Sequence, residues 1–255
     1  MIKIKFKIDK YHLAYNLCLK YFRDKKQHKW QKLKDELHTK YGDYSGFLFF
    51  EPKYTGYNLN LIDFKNRQGI GLVRDNGIVL DIFNDIFTSA QFKRAFIETR
   101  RYKKRVEKEW NKNSKKALNL LKDISRLKMK NNNVDVFILH PSLDSGSYMG
   151  NNTIEWGTPD HFKNYKTIGL AHELLHLFTE KQADWLMHGI IYLTVDEELR
   201  IRLNGSKKYF REGSVKTYHK KLIGISRKLL PHWKKYLKDG NKDNIIDFWE
   251  RMHKN

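Results

Sequence analysis

The segment at residues 169–178, GLAHELLHLF, constrains the fold of this chain more than any other. Apart from two histidines and one glutamate it is apolar or glycine, whereas 31% of the whole chain is charged. Such a segment predicts a buried helix. Burying two imidazoles and a carboxylate is costly unless these groups are paired or bind a metal. The segment therefore predicts a helix that carries a functional site.

The two histidines and the glutamate form an HExxH motif. His172 and His176 lie four residues apart, so on a helix they share one face and can bind the same Zn²⁺ ion. Glu173 is offset to the side of that face, where a general base could deprotonate a water at the metal. We predict one zinc ion per chain, with His172 and His176 as ligands and Glu173 as the catalytic base. A hydrogen-bonded pair of core histidines is the alternative.

The N-terminal half contains both strand and helix patterns, so the fold class is predicted as α+β, mostly helical with a small sheet. Residues 1–9, MIKIKFKID, alternate apolar and polar positions and predict a strand. Further predicted elements are helices at 11–41, strands or hairpins at 47–50, 57–64 and 71–83, and a long charged helix at 89–128.

The C-terminal half is predicted to be mostly helical after two strands. The strands are expected at 134–139 and 152–156, separated by the turn-rich residues 144–150. Helices are expected at 163–178, 183–203, 214–236 with Pro231 as a kink or break, and 243–252. The change of pattern near Asn131 predicts a boundary between an N-terminal α+β portion, 1–130, of unknown role and a portion, 131–255, that carries the chemistry.

Residues 134–203 resemble the zincin metallopeptidases, in which an uncharged HExxH helix follows a short edge strand. The resemblance implies a zincin-like fold for the C-terminal half and zinc-dependent hydrolysis of peptide bonds in a protein or peptide substrate. It assigns His172 and His176 as zinc ligands and Glu173 as the base. It also implies that residues 152–157 form the edge strand that pairs with extended substrate, although an ordinary hairpin strand is the alternative.

The motif leaves the third zinc ligand open. The metzincin continuation HExxHxxGxxH needs glycine and histidine where this chain has Thr179 and Gln182, so that subfamily is excluded. A gluzincin-like site takes a glutamate from the next helix. We predict Glu198 as this ligand because it lies closer than Glu197 to the apolar side of the predicted helix. Both glutamates could instead pair with nearby arginines on the surface.

His188 is the main alternative third ligand. The pair His188-Gly189 follows His176 by 12 residues and is similar to the His-Gly pair of SprT-like DNA-protein crosslink proteases. Otherwise His188 would form a structural or orienting pair with Asp184, four residues earlier. A donor for the oxyanion of the reaction is also required, and the candidates are Tyr209, Tyr218 and His219.

The chain is strongly basic, with 50 Lys+Arg against 29 Asp+Glu and a formal net charge of +21. The lysines are spread along the chain, and the densest run is RRYKKR at residues 100–105. A solvated helix face is the usual explanation of such a run, but weak nucleic-acid binding through the basic surface is also possible. The alternative function is a nucleic-acid-associated protein, either with a structural zinc or as a SprT-like protease acting on DNA-bound proteins.

Cysteine content and hydropathy bear on where the protein works. Cys18 is the sole cysteine, so no disulfide framework is expected. No signal sequence and no apolar stretch long enough to cross a membrane is visible. We therefore expect a cytoplasmic protein with no membrane partner.

Overall fold

A computed structural model of the protein describes residues 2–19, 28–41, 76–205, 209, 220–239 and 243–254. These residues are mostly helical, with a small mixed sheet of four strands, which agrees with the predicted α+β class. None of the described helices is both long enough and apolar enough to cross a membrane.

The described strands and helices have the following bounds. The strands are β1 (Lys3–Lys7), β2 (Asn133–Ile138), β3 (Ser145–Gly150) and β4 (Thr153–Gly157). The helices are α1 (Lys10–Ala14), α2 (His28–Tyr41), α3 (Asn76–Thr88), α4 (Ala90–Ser125), α5 (Tyr165–Phe178), α6 (Trp185–Tyr192), α7 (Arg200–Asn204), α8 (Lys220–Lys238) and α9 (Ile245–His253). A π-helical segment, Leu193–Leu199, joins α6 to α7, and another, Tyr15–Leu19, follows α1.

The strand order in the sheet is β1-β2-β4-β3, and β3 runs antiparallel to β4. Two predictions about this region are wrong. Residues 145–150, predicted as a turn, form β3, and the predicted edge strand, β4, lies between β2 and β3. The small residues of β3 have a packing role: Gly146 is opposite Trp156, and a Cβ on Gly146 would lie only 2.7 Å from the Trp156 ring. Glycine here lets the indole cover the strand.

The prediction of a strand at 71–83 is also wrong for its described part, because residues 76–83 belong to helix α3. Ile82, Phe83 and Ile86 are fully buried and lie on one side of this helix. A short apolar run fits a buried helix as well as a buried strand, which explains the error. The strands predicted at 47–50 and 57–64 lie outside the described residues.

The chain divides into two compact units. One comprises Met1–Phe6, Lys104–Val136 and Ser145–Asn255, and the other comprises Lys7–Lys103 and Phe137–Asp144. The boundary predicted after residue 130 falls inside the first unit. The reason is that Leu121 and Ile124, in the second half of α4, share a core with the HExxH helix α5.

The first unit buries apolar side chains from α4, α5, α6, α8 and α9 in one core. Its largest fully buried side chains include Trp233 of α8 and Phe248 of α9. Pro231 lies inside α8 without ending it, since the helix continues to Lys238. The other unit has a separate core, built around Leu13, Leu17 and Phe83. The HExxH helix is therefore held within a single, well-packed unit.

Candidate metal centre

Three histidines converge on one point in the first unit. His172 and His176 lie on α5 and His188 lies on α6, and one ring nitrogen from each lies within 4.8 Å of the others. The ring centroids of His172 and His176 are 5.2 Å apart, and those of His176 and His188 are 4.7 Å apart. His172 is buried, whereas the other two are partly exposed. Among the described residues this is the group of side chains with the donors and spacing for a metal ion.

The spacing of the nitrogens suits a shared ion. Nε2 of His172 lies 3.1 Å from Nε2 of His188. Two nitrogens that bind one zinc ion tetrahedrally at about 2.0–2.1 Å lie about 3.3 Å apart. Three imidazoles are also a donor set that zinc favours, and three protein ligands leave the fourth position open. The residues present therefore fit a zinc ion.

Asp196 fixes the orientation of His172. Its Oδ2 lies 2.6 Å from Nδ1 of His172, so the ring donates Nδ1–H to the carboxylate and its Nε2 faces His188. Burial of the His172 imidazole lowers its pKa, but the carboxylates of Asp196 and Glu173 together outweigh this effect, and the pKa lies above its ordinary value. A carboxylate that holds the far nitrogen of a ligand histidine is a common feature of metal sites.

Sequence reasoning missed Asp196 because it assumed a regular α-helix after His188. Asp196 lies in the π-helical segment Leu193–Leu199, where the bonding pattern i→i+5 gives more residues per turn. The side chains that follow are therefore rotated from the positions that a period of 3.6 predicts. The acidic cluster at residues 196–198 was the available signal, but it could not tell which of its three members faces His172.

The structure does not bring Glu198, the predicted third ligand, to the three histidines. One Glu198 carboxylate oxygen accepts a hydrogen bond from the Tyr209 hydroxyl, and the other lies 3.4 Å from Nε of Arg202. Glu197 is paired with Arg200 at 2.8 Å. Both glutamates are buried, and their carboxylates contact Arg200, Arg202 and Tyr209. His188, the alternative ligand, is the residue that lies beside His172 and His176.

Glu173 lies between α5 and strand β3. Its Oε2 accepts the backbone N–H of Tyr148 at 2.8 Å. A Cβ on Gly146 would lie 3.6 Å from its other oxygen, so the carboxylate lies along the strand rather than in solvent. Desolvation raises the pKa of Glu173, and the charge of the nearby His172 opposes that shift. The sequence predicted the offset of Glu173 from the two histidines, but its contact with β3 depends on a strand that the sequence analysis did not predict.

Two contacts hold the HExxH helix in position. Glu109 of α4 accepts the backbone N–H of Thr167 at 2.8 Å, so it satisfies a donor in the first turn of α5. Gly169 lies directly against the Trp156 indole, and a Cβ there would come within 2.0 Å of the ring. Trp156 therefore packs between Gly146 of β3 and Gly169 of α5. These contacts fix the distance between the strand and the helix that carries Glu173.

His188 is positioned by the start of α6. Asp184, its predicted partner, caps this helix by accepting the Met187 N–H at 2.7 Å, and it also accepts Nε1–H of Trp249. The Trp185 ring stacks on the His188 imidazole, with centroids 6.1 Å apart and planes 14° apart. Trp185 remains 52% exposed, which is unusual for tryptophan.

One candidate oxyanion donor is described. Tyr209 donates its hydroxyl to Glu198, and burial followed by this carboxylate raises the pKa of Tyr209. The Tyr209 hydroxyl therefore donates its proton to Glu198 rather than toward the histidines. The other two candidates, Tyr218 and His219, lie outside the described residues.

No protein-family model, curated protein or solved structure matches this chain.

The residues of the site supply three imidazoles around one point, a carboxylate that orients the first imidazole, and a second carboxylate, Glu173, beside an amide of β3. This set can hold a cation while keeping a base next to it.

Proposed function

We propose that this protein is a zinc-dependent metallopeptidase with a zincin-like site. The observation that carries the proposal is the convergence of His172, His176 and His188 next to Glu173. The 3.1 Å contact between Nε2 of His172 and Nε2 of His188 also has the length of a hydrogen bond, but such a pair would not need the third imidazole of His176 within 4.8 Å of both. The proposal replaces Glu198 with His188 as the third ligand.

The three histidines would hold the zinc ion, and Asp196 would keep His172 in the tautomer that exposes Nε2. When bound, zinc supplies Lewis acidity that lowers the pKa of a water and polarises the scissile carbonyl. The described residues supply three protein ligands, whereas four protein ligands close a structural zinc site. The geometry thus favours catalysis over a structural zinc.

Glu173 would act as general base and then as general acid. It removes a proton from the attacking water and passes that proton to the departing amine. Desolvation raises its pKa above the ordinary value of a glutamate, which suits a group that must both accept and release a proton. Its hydrogen bond from the Tyr148 N–H limits the directions in which the carboxylate can turn.

The substrate would lie along β3, which is at the end of the sheet among the described strands. An extended peptide can add to such a strand through backbone hydrogen bonds. Two large apolar side chains on these elements are exposed: Met149 of β3 is 49% exposed, and Trp185, whose ring stacks on His188, is 52% exposed. These side chains would favour a substrate with apolar residues next to the scissile bond.

Metal content and peptide cleavage test the proposal together. We would measure bound zinc by mass spectrometry and cleavage of a fluorescence-quenched peptide library. The expected result is about one zinc per chain in the parent, most of it lost in His176→Ala and His188→Ala. Glu173→Gln should keep the metal while its cleavage rate falls by about 10²-fold or more.

Glu198→Ala is the matched control, since it removes a buried carboxylate of the same region that lies away from the histidines. It should keep the zinc and the activity of any fraction that folds. Loss of zinc in Glu198→Ala with retention in His188→Ala would contradict the ligand set. Full zinc binding without cleavage of any library peptide would contradict the peptidase activity but not the metal site.

A further inference from the structure

Helix α4 presents an exposed face with a uniform chemistry. Between residues 104 and 122 every exposed position is lysine, arginine or asparagine. The exposed residues are Lys104, Arg105, Lys108, Asn111, Lys112, Lys115, Lys116, Asn119 and Lys122. Their spacing of three or four residues keeps them on one side of the helix. At 1.5 Å per residue this face is about 27 Å long.

The helix separates its charges by side. Its buried side carries Val106, Trp110, Ala117 and Leu121, which face the core. The acidic Glu109 turns toward α5, where it accepts the Thr167 N–H and lies 3.6 Å from the buried Lys166. The Glu109 carboxylate therefore contacts groups of α5, whereas the exposed lysines of α4 point to solvent. An ordinary solvated helix face mixes both signs of charge. Between residues 104 and 122 no exposed position is acidic, although Glu107 is half-buried and the exposed Asp123 follows Lys122.

The chemistry of the face favours nucleic acid over a membrane. A helix that binds a lipid surface needs exposed large apolar side chains beside its cations, and between residues 104 and 122 this face has none. A duplex needs only cations spaced along its phosphates. A length of about 27 Å spans about eight base-pair steps of 3.4 Å each. Between residues 104 and 122 no aromatic side chain is exposed, and the two exposed amides, Asn111 and Asn119, lie about two turns apart, so contact with the backbone is the expected mode.

We propose that the exposed face of α4 from Lys104 to Lys122 binds the phosphate backbone of a nucleic-acid duplex without sequence preference. This extends the basic run predicted at residues 100–105 by almost five turns of helix. This binding does not require the metal centre, so it can be tested independently of the peptidase proposal. A peptidase with such a face would act on proteins held on or near nucleic acid.

The test compares two variants with the same change in net charge. The first replaces four lysines of the face, Lys104, Lys108, Lys112 and Lys115, with glutamine. The control replaces four exposed lysines on other segments of the same unit, Lys130, Lys163, Lys228 and Lys254, with glutamine. Glutamine keeps the helix propensity of lysine, and circular dichroism with thermal unfolding checks that both variants fold like the parent.

Binding of the full chain to labelled 20-base-pair DNA and RNA duplexes would be followed by fluorescence polarisation from 0.05 to 0.3 M KCl. We expect the first variant to lose about tenfold or more in affinity at 0.1 M KCl for whichever duplex the parent binds. Its slope of log affinity against log salt should fall by about 3 to 4, whereas the control should change little.

Three results would overturn the proposal. Equal losses in the two variants would show that net charge, rather than the α4 face, attracts the duplex. Absence of binding to either duplex at 0.05 M KCl would exclude the partner class. Binding to phosphatidylserine vesicles that is lost in the first variant, without duplex binding, would assign the face to a membrane.

Discussion

At the scale of single residues, the centre depends on two carboxylates with different tasks. Glu173 follows His172 on α5 and accepts the Tyr148 N–H, whereas Asp196 accepts Nδ1–H of His172. Asp196 could not take the place of Glu173 as the base, since its carboxylate is hydrogen-bonded to Nδ1 of His172, the ring nitrogen away from the other histidines. The first carboxylate is therefore expected to affect the chemical step and the second to affect metal affinity.

Replacing Asp196 should weaken zinc binding without abolishing it. In Asp196→Ala the His172 ring loses the acceptor that fixes its tautomer, so we expect affinity for zinc to fall by about 10- to 100-fold. Asp196→Asn keeps an acceptor oxygen and should lose less. Competition with a chromogenic chelator measures the affinities. Unchanged affinity in Asp196→Ala would mean that the carboxylate does not orient the ligand, and Glu198→Gln serves as the control.

At the scale of elements, two glycines let one tryptophan set the position of the HExxH helix. Trp156 of β4 packs against Gly146 and Gly169, where added Cβ atoms would lie 2.7 and 2.0 Å from its ring. The sequence contained these residues, but nothing in their spacing showed that they meet. A side chain added at Gly169 would overlap the Trp156 indole, so either α5 or the indole would have to move.

Gly169→Ala should therefore destabilise the protein by about 1–3 kcal/mol, as overpacking of a core typically does. Gly224 of α8 is the matched control, because a Cβ there meets no atom within 4 Å. Gly224→Ala should stabilise the protein by about 0.5–1 kcal/mol through helix propensity. Denaturant unfolding measures both. Equal effects at the two positions would show that the Trp156 contact does not constrain α5.

In the other unit, Asp85 of α3 connects to the end of α2. Its Oδ2 lies 2.6 Å from Nζ of Lys40 and accepts the Tyr41 hydroxyl at 2.7 Å. The Lys40 ammonium, followed by the Tyr41 hydroxyl, lowers the pKa of Asp85 below its ordinary value. A carboxylate whose pKa is lower in the folded than in the unfolded state stabilises the protein above its unfolded pKa, about 3.9.

Asp85→Asn should accordingly lower the unfolding temperature at pH 7. The difference from the parent should shrink as the pH falls below about 4 and vanish once Asp85 is protonated in the folded state. The effect should be small because both side chains are partly exposed. Asp81→Asn, at an exposed position of the same helix, is the control. A difference that grows toward acid pH would contradict the assigned sign.

At the scale of the whole molecule, the metal site draws on α5, α6 and the π-helical segment, which all belong to one compact unit. A ligand that binds the folded state alone must stabilise it. Zinc at 100 times its dissociation constant should add about 2.7 kcal/mol. For a chain of this size, that corresponds to a rise of about 5–10 °C in unfolding temperature.

Scanning calorimetry with and without zinc would measure this rise. The parent and Glu173→Gln should both show it, and His188→Ala should show little. A rise of equal size in His188→Ala would mean that zinc binds elsewhere, and no rise in the parent would mean that the centre does not bind zinc in solution.

The sequence alone determined the features that rest on local pattern. The 3.6-residue period and the scarcity of charge at residues 169–178, where Glu173 is the one acidic or basic residue besides the histidines, predicted helix α5, and the four-residue separation placed His172 and His176 on one face of it. The long helix α4, the strands β1 and β2, and the mostly helical C-terminal half were predicted for the same reason. Each of these depends on residues close together in the chain.

The tertiary structure decided what depends on contacts between distant residues. It brought His188 of α6 rather than Glu198 to the two histidines, and within the π-helical segment it brought Asp196 to His172. It placed β3 beside Glu173 and made β4 an inner strand, because Gly146 accepts the Trp156 ring. The pattern of residues along one segment indicates its secondary structure but not which other segment packs against it. The third histidine and the position of β3 both depend on that packing.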